Sequence, residues 1–218
     1  MSAREVLRAN DERFADVVAR LTPEEWAAPS LCAEWSNRYV LGHLVVGCSH
    51  PVGGFLGALI WHRNFDRANT ATATERARAR GVHNLLDDFR AVSARPAGVG
   101  RYFPARLLLG DHITHELDIL FAIDREPDIP AELLNAVLDT QVAFPNPFVP
   151  AYRNSRGIQL SAVDTGWRYG TSGPAVEGTA AELISVLGNR PKALPRLRGP
   201  GVETLADRVL SRLSRTAG

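Results

Sequence analysis

The sequence predicts an α+β protein, with a four-helix bundle in the N-terminal part and a small α/β domain after it. Apolar residues recur at helical spacing through roughly the first 144 residues. The proline-rich run PNPFVP at 145–150 then excludes a continuing helix. Beyond it, apolar and polar residues alternate with the period of two that is typical of strands. We therefore predict the bundle at residues 1–145 and the α/β domain at 150–218.

The helices of the predicted bundle begin at recognisable signals. Thr22, followed by a proline and by Glu25, has the pattern of a capping box with proline at the first helical position. Ser36 is placed to cap the next helix. The periodicity predicts helices over Ala3–Leu21, Asn37–Val46, Asn84–Ala94, Arg106–Ile123 and Ala131–Phe144. Helices with short or medium connections favour a bundle.

The C-terminal part changes from helical to strand periodicity. Gly157–Asp164 is predicted as a half-buried strand, and the turn Asp164-Thr-Gly leads into a partner strand at Trp167–Gly170. A short strand or turn begins at Val176, and Thr179 is placed to cap a helix over Ala180–Leu187.

Composition excludes several classes of protein. The chain has 218 residues, 45% hydrophobic and 22% charged, with a formal net charge of +1. This charge gives no reason to expect a nucleic acid or a membrane surface as the partner. The polar N-terminus is unlike a signal peptide, and no apolar run is long enough to span a bilayer, so we expect a cytoplasmic protein. The two cysteines lack metal-finger spacing, and Walker A, GxGxxG and GxSxG motifs are absent from the sequence.

The segment Leu107–Ala122, LLLGDHITHELDILFA, contains the main candidate site. Asp111 and His115 are four residues apart, so their side chains project from one helical face. With His43, from another apolar helical stretch, they form a possible ligand set for a divalent metal, zinc in the first place, with an open position for water or substrate. The competing interpretation is a surface or capping pair. The apolar neighbours argue against it, because burying unpaired polar groups is costly.

Other polar residues near this segment have simpler interpretations. His112 lies about 100° around the helix from Asp111 and is predicted to be a polar flank. Asp118 either orients His115 as an outer hydrogen-bond acceptor or begins the solvated end of the helix. The remaining histidines, His50, His62 and His83, are predicted to be structural or exposed, and both cysteines to be buried structural thiols.

Several runs of the sequence resemble the mycothiol-dependent maleylpyruvate isomerase family, a branch of the DinB-like four-helix metalloproteins. The run Trp26–Leu44, which includes His43, is similar to the opening motif of that family, and Gly110–Ile119 is similar to its second metal motif. The runs Val163–Trp167, Val176–Leu183 and Leu187–Arg190 resemble its small C-terminal domain. Two positions depart from the family pattern: Asp111 stands in place of Glu, and Asn189 in place of Gly.

The resemblance implies an enzyme that holds a divalent metal through His43, Asp111 and His115 and uses mycothiol as a thiol cofactor. In such an enzyme the metal favours the thiolate, which adds to a small electrophilic substrate and leads to isomerisation or S-transfer. An arginine is expected to hold the anionic substrate or the cofactor, with Arg78, Arg80 and Arg190 as candidates. A monomer or homodimer is expected.

Two alternatives remain at this level: a metal-dependent hydrolase of the DinB-like type, and a bundle that binds metal without catalysis. The C-terminal α/β segment favours the isomerase or transferase over the hydrolase, because simple DinB-like bundles lack it.

Overall fold

The chain folds into two units whose boundary falls inside one helix. The computed structural model describes residues 1–32, 35–49, 80–146 and 149–216. The first unit is Met1–His112 and the second is Ile113–Gly218, and the helix Ala105–Leu120 runs across the boundary. The domain limits 1–145 and 150–218 rest on the change in sequence pattern, and they stay a prediction.

The described part of the first unit is helical. Its elements are α1 (Ala3–Val18), α2 (Pro23–Ala27), α3 (Asn37–Ser49), α4 (Val82–Ala94), a 3-10 turn (Gly98–Arg101) and the first half of α5 (Ala105–Leu120). Capping boxes begin α1 and α2: Ser2 and Thr22 each accept from the backbone N–H three residues later, where a glutamate completes the box. The capping box predicted at Thr22 is confirmed.

An apolar core holds α1, α3 and α4 together, with α4 packed against both of the others. Phe14 of α1 and Phe89 of α4 are fully buried and meet edge to face, with ring centroids 5.4 Å apart. Leu41 and Leu44 of α3 are also buried against solvent. Burial of these side chains fixes the position of α3, which carries His43.

The second unit combines helices with a three-stranded sheet. After the C-terminal half of α5 and a 3-10 turn (Phe121–Ile123), its elements are α6 (Ala131–Ala143), α7 (Ala151–Asn154), β1 (Gln159–Ala162), β2 (Arg168–Tyr169), β3 (Ala175–Gly178), α8 (Ala180–Leu187), a 3-10 segment (Pro191–Arg196) and α9 (Val202–Thr216). The sheet order is β2-β1-β3. Leu160 of β1 pairs with Tyr169 in antiparallel and with Val176 in parallel register.

Helices α6 and α8 hold the sheet in place. Helix α8 packs against α6 and β1, and it begins at a capping box formed by Thr179 and Glu182. The indole N–H of Trp167 donates to Asp139 of α6 at 2.7 Å, and Thr165 bonds to Asn135 of α6 at 2.7 Å. These bonds fix the β1–β2 turn to α6.

The predicted fold class is confirmed, with differences in detail. Helix α9 was not predicted, although Leu205 and Val209 are spaced by four residues and are both buried. The parallel pairing of β3 with β1 also could not be predicted from the local sequence pattern without knowledge of the fold. Arg78, His50 and His62 lie outside the described residues. Among the helices that the structure describes, none has the length and apolar character needed to cross a membrane.

Asn189 supplies a left-handed turn after α8, with φ of 67°. Its side chain accepts a hydrogen bond from Asn154 at 2.8 Å, and Arg190 follows directly. We expect Asn189→Val to lower the free energy of unfolding by about 1–3 kcal/mol, because a β-branched residue is strained at positive φ. Asn189→Gly also removes the hydrogen bond to Asn154 but should lose less stability than Asn189→Val, since glycine adopts this conformation without strain. Urea unfolding of both variants tests this, and equal losses would contradict it.

Candidate metal centre

Helix α3 places His43 at the first candidate ligand position. The helix is rich in apolar residues and buries most of them, while His43 itself is half-buried. The indole of Trp35 packs against its imidazole, with ring centroids 5.0 Å apart and the planes tilted by 45°. This ring contact restricts the orientation of His43.

Helix α5 carries the other two candidate ligands on one face. Asp111 is half-buried and His115, one turn later, is 7% exposed. Much of the helix around them is buried, including Ile113 and Leu117 at 0% exposure. Polar side chains in such surroundings are stable only when they are paired or bound, so their arrangement is informative about function.

The structure brings His43, Asp111 and His115 together. Each offers one ligand atom, and these atoms all lie within 4.8 Å of one another. Asp111 and His115 lie one turn apart in α5. The unit boundary falls between them, but the helix is continuous there and fixes their relative position. Donors around one zinc ion, each about 2 Å from the metal, are separated by up to about 4 Å. The separation of the three side chains is therefore within about 1 Å of the spacing that a single divalent cation requires.

The shorter acid at position 111 is compatible with this set. An aspartate in place of a glutamate is shorter by one methylene, so it reaches a shared ion only if the two helices approach closely. The carboxylate of Asp111 lies within the 4.8 Å separation of both imidazoles. Two imidazoles and one carboxylate form a donor set that suits zinc and leaves a coordination position for a further ligand.

Asp118 orients His115 from within the second unit. The Nδ1–H of His115 donates to Asp118 Oδ2 at 3.0 Å, which leaves Nε2 as the ring atom for a metal. Asp118 is 1% exposed. It also accepts from Nε and Nη2 of Arg190, both at 2.8 Å. Of the two interpretations left open by the sequence, the structure shows the orienting acceptor and not a solvated helix end.

The electrostatics of Asp118 keep it charged. Burial alone would raise the pKa of its carboxyl group, but the charge of Arg190 and the hydrogen bonds from His115 and Arg190 outweigh burial and hold that pKa below its usual range. A charged Asp118 keeps the proton of His115 on Nδ1.

His112 is buried rather than a polar flank, so that prediction was wrong. It is 1% exposed; its Nδ1 lies 2.7 Å from Asp11 Oδ1 and its Nε2 lies 3.6 Å from Cys48 Sγ. Burial by itself lowers the pKa of His112, but Asp11, with a contribution from Cys48, raises it well above the ordinary range. Helix α5 is therefore buried on the side that carries His112 as well, which the spacing of residues in the sequence does not show.

The remaining candidates occupy different surroundings. Arg80 makes two hydrogen bonds to Asp88, at 3.0 and 2.7 Å, and its side chain is 43% exposed. His83 is exposed, as predicted, and Cys48 is buried, as predicted. Cys32 is half-buried, which differs from the buried thiol expected, and it offers a ligand atom within 4.8 Å of those of His115 and Asp118. No spacing in the sequence associates Cys32 with a metal.

Comparisons with known proteins give one match to a family model and two to solved structures. Residues 7–106 match the model of the mycothiol maleylpyruvate isomerase N-terminal domain, a range that includes His43 and ends before Asp111. The fold is similar to the crystal structure of the mycothiol-dependent maleylpyruvate isomerase, at 13% identity and a TM-score of 0.53. It is also similar to a histidine-to-alanine mutant of that enzyme, at 12% identity and a TM-score of 0.56. Each comparison covers 91% of both chains. No curated protein matches the chain in sequence.

Proposed function

We propose that the chain is a metal- and mycothiol-dependent isomerase or thiol S-transferase, because residues 7–106 match the model of the mycothiol maleylpyruvate isomerase N-terminal domain. Its substrate is a small electrophile of the maleylpyruvate type. The observation that carries this proposal is the approach of His43, Asp111 and His115 to within 4.8 Å of one another.

These three residues would hold the metal, with zinc favoured by the donor set. A divalent ion supplies Lewis acidity, which lowers the pKa of a bound thiol and favours the thiolate near neutral pH. The protein holds the donors in place: Trp35 packs on His43, and Asp118 fixes the proton of His115 on Nδ1. With three protein ligands, such an ion would have a position open for the sulfur of mycothiol.

Arg190 and Arg80 are the proposed arginines of the site. Arg190 holds Asp118 and thereby His115, and its guanidinium side chain is 17% exposed. Arg80 precedes α4 and is held by an ion pair with Asp88 of that helix. Either guanidinium group suits a carboxylate of an anionic substrate. The connection to His115 through Asp118 favours Arg190, and we expect Arg190→Lys to reduce turnover more than Arg80→Lys does.

Direct binding of mycothiol tests the proposal without knowledge of the substrate. We expect the cobalt-substituted protein to develop a sulfur-to-metal absorption band in the near ultraviolet when mycothiol is added. S-methylated mycothiol, in which the thiol is blocked, is the matched control and should produce no band. A cobalt protein whose spectrum is unchanged by mycothiol would contradict thiol activation.

Turnover then separates the isomerase or transferase from the two alternatives. With zinc bound, we expect conversion of maleylpyruvate or a related electrophile to require mycothiol. A hydrolase of the DinB-like type would instead act on an ester or amide with water alone, and a non-catalytic bundle would bind the metal without turnover. The small α/β segment after the helices supports the thiol-dependent enzyme.

A further inference from the structure

A cluster of three buried polar side chains lies in the first unit, outside the candidate ligand set. Asp11 of α1, His112 of α5 and Cys48 of α3 are 2%, 1% and 3% exposed. The imidazole lies between the other two, 2.7 Å from the carboxylate and 3.6 Å from the sulfur. Each of these three helices therefore contributes one member.

This cluster of Asp11, His112 and Cys48 has the residue types of an acid, a base and a nucleophile, but its burial argues against catalysis. A substrate has to reach Sγ of Cys48, and that side chain is almost completely enclosed. The carbonyl oxygen of Cys48 also lies only 2.8 Å from the place where a Cβ on Gly100 would stand. The backbone of the turn Gly98–Arg101 thus packs directly on this end of α3.

The position of this cluster relative to the candidate ligands indicates a different role. His112 directly follows Asp111, and Cys48 lies five residues after His43, about 7.5 Å along α3. At 100° per residue, Cys48 lies about 140° around α3 from His43, and His112 lies about 100° around α5 from Asp111. The Cys48–His112 contact therefore connects α3 to α5 close to both ligands but outside the metal set.

Directional bonds can fix a helix where apolar packing cannot. Apolar contacts tolerate small rotations of a helix, whereas a 2.7 Å bond to a buried carboxylate sets both the rotation and the height of α5 against α1. Well-packed apolar residues often stabilise a protein as well as a buried ion pair does, so stability alone does not require this cluster. The ring of His112 also lies beside Phe89, with centroids 5.8 Å apart, so packing holds the imidazole as well.

We propose that Asp11, His112 and Cys48 are positioning residues, which hold α3 and α5 so that His43 and Asp111 present their donors to one metal ion. This inference rests on the proposed metal-dependent function. It concerns the geometry of the donor atoms, and it requires no contact of Asp11, His112 or Cys48 with the metal or the substrate.

The test measures cobalt affinity and the visible cobalt spectrum of purified variants, with the melting temperature recorded for each. We expect Asp11→Ala and Cys48→Ala each to weaken cobalt binding by roughly tenfold, as loss of outer-shell support does, and to change the shape of the visible bands. Asp11→Asn keeps an acceptor for His112 and should restore most of the affinity. These readouts do not depend on turnover.

Val45→Ala is the matched control. Val45 lies on α3, is 0% exposed and belongs to the apolar core. Its truncation should lower the melting temperature and leave the cobalt affinity and spectrum at the wild-type values. If Asp11→Ala does not fold, Cys48→Ala decides the question.

The outcomes separate this inference from the proposed function. Wild-type protein that binds no cobalt would overturn both. If the wild type binds cobalt and the affinity and spectrum are unchanged in Asp11→Ala and Cys48→Ala, the positioning role alone is overturned. The cluster would then serve only stability. Weaker binding and an altered spectrum in these variants, against an unaltered Val45→Ala, supports it.

Discussion

Replacing either histidine of the candidate set by alanine is expected to abolish stoichiometric metal binding. Wild-type protein expressed with ample zinc should carry about one ion per chain, whereas His43→Ala and His115→Ala should each bind it roughly a hundredfold or more weakly. The estimate follows from sharing the binding free energy of a zinc site, about 10–16 kcal/mol, among its ligands. Metal analysis of the purified proteins measures this directly.

Thermal unfolding provides an independent measurement of the same loss. Zinc at a hundred times its dissociation constant stabilises a protein by about 2.7 kcal/mol when only the folded state binds. We therefore expect added zinc to raise the melting temperature of the wild-type protein and to leave that of His43→Ala and His115→Ala unchanged. His83→Ala, which removes an exposed histidine of α4, should behave as the wild type does.

Two outcomes would contradict the prediction. The first is wild-type protein that contains no metal after expression with ample zinc. The second is an equal loss of metal from His83→Ala, which would indicate nonspecific binding to histidines. Asp111→Glu adds a further check: because the donors already lie within 4.8 Å of one another, the longer side chain should retain the metal with reduced affinity.

The sequence was sufficient for features that depend on neighbours along the chain. The capping box at Thr22, the helix cap at Thr179, the helix that contains Asp111 and His115, and the strand before Asp164 all follow from local spacing, and the structure contains them. A helical turn is rigid, so a spacing of four residues already fixes two side chains on one face.

Features that depend on tertiary contacts could not be read in this way. The interpretation of His112 failed because a polar residue off the ligand face was taken to face solvent, whereas the structure buries that face of α5 against Asp11 and Cys48. Those partners are 101 and 64 residues away in sequence. The role of Asp118 stayed open for a similar reason, since Arg190, which holds it, is 72 residues distant.

Loss of Arg190 is expected to destabilise the second unit strongly. Its guanidinium group makes two hydrogen bonds to Asp118, whose side chain is 1% exposed. Arg190→Ala leaves that buried carboxylate without its cation, and removing one partner of a buried ion pair costs about 3–5 kcal/mol. Urea unfolding measures this loss. Lys192→Ala, which breaks a surface ion pair with Asp124, is the matched control and should change stability little.

The pH dependence of this loss has a definite sign. The pKa of Asp118 is lowered in the folded state, so the pair contributes stability above the ordinary aspartate range and loses it as the pH falls. The difference between wild type and Arg190→Ala should therefore be full near neutral pH and shrink under acid conditions. A difference that grows on acidification would contradict the assignment.

A double apolar replacement separates the structural role of the pair from its role at the metal site. Asp118→Leu combined with Arg190→Met removes both charges, so it should be more stable than Arg190→Ala. It also removes the acceptor of the His115 Nδ1–H, and loss of such an orienting group weakens metal binding by about 10–100-fold. We therefore expect stability to recover while zinc affinity does not. Recovery of both would mean that Asp118 stabilises the fold without orienting His115.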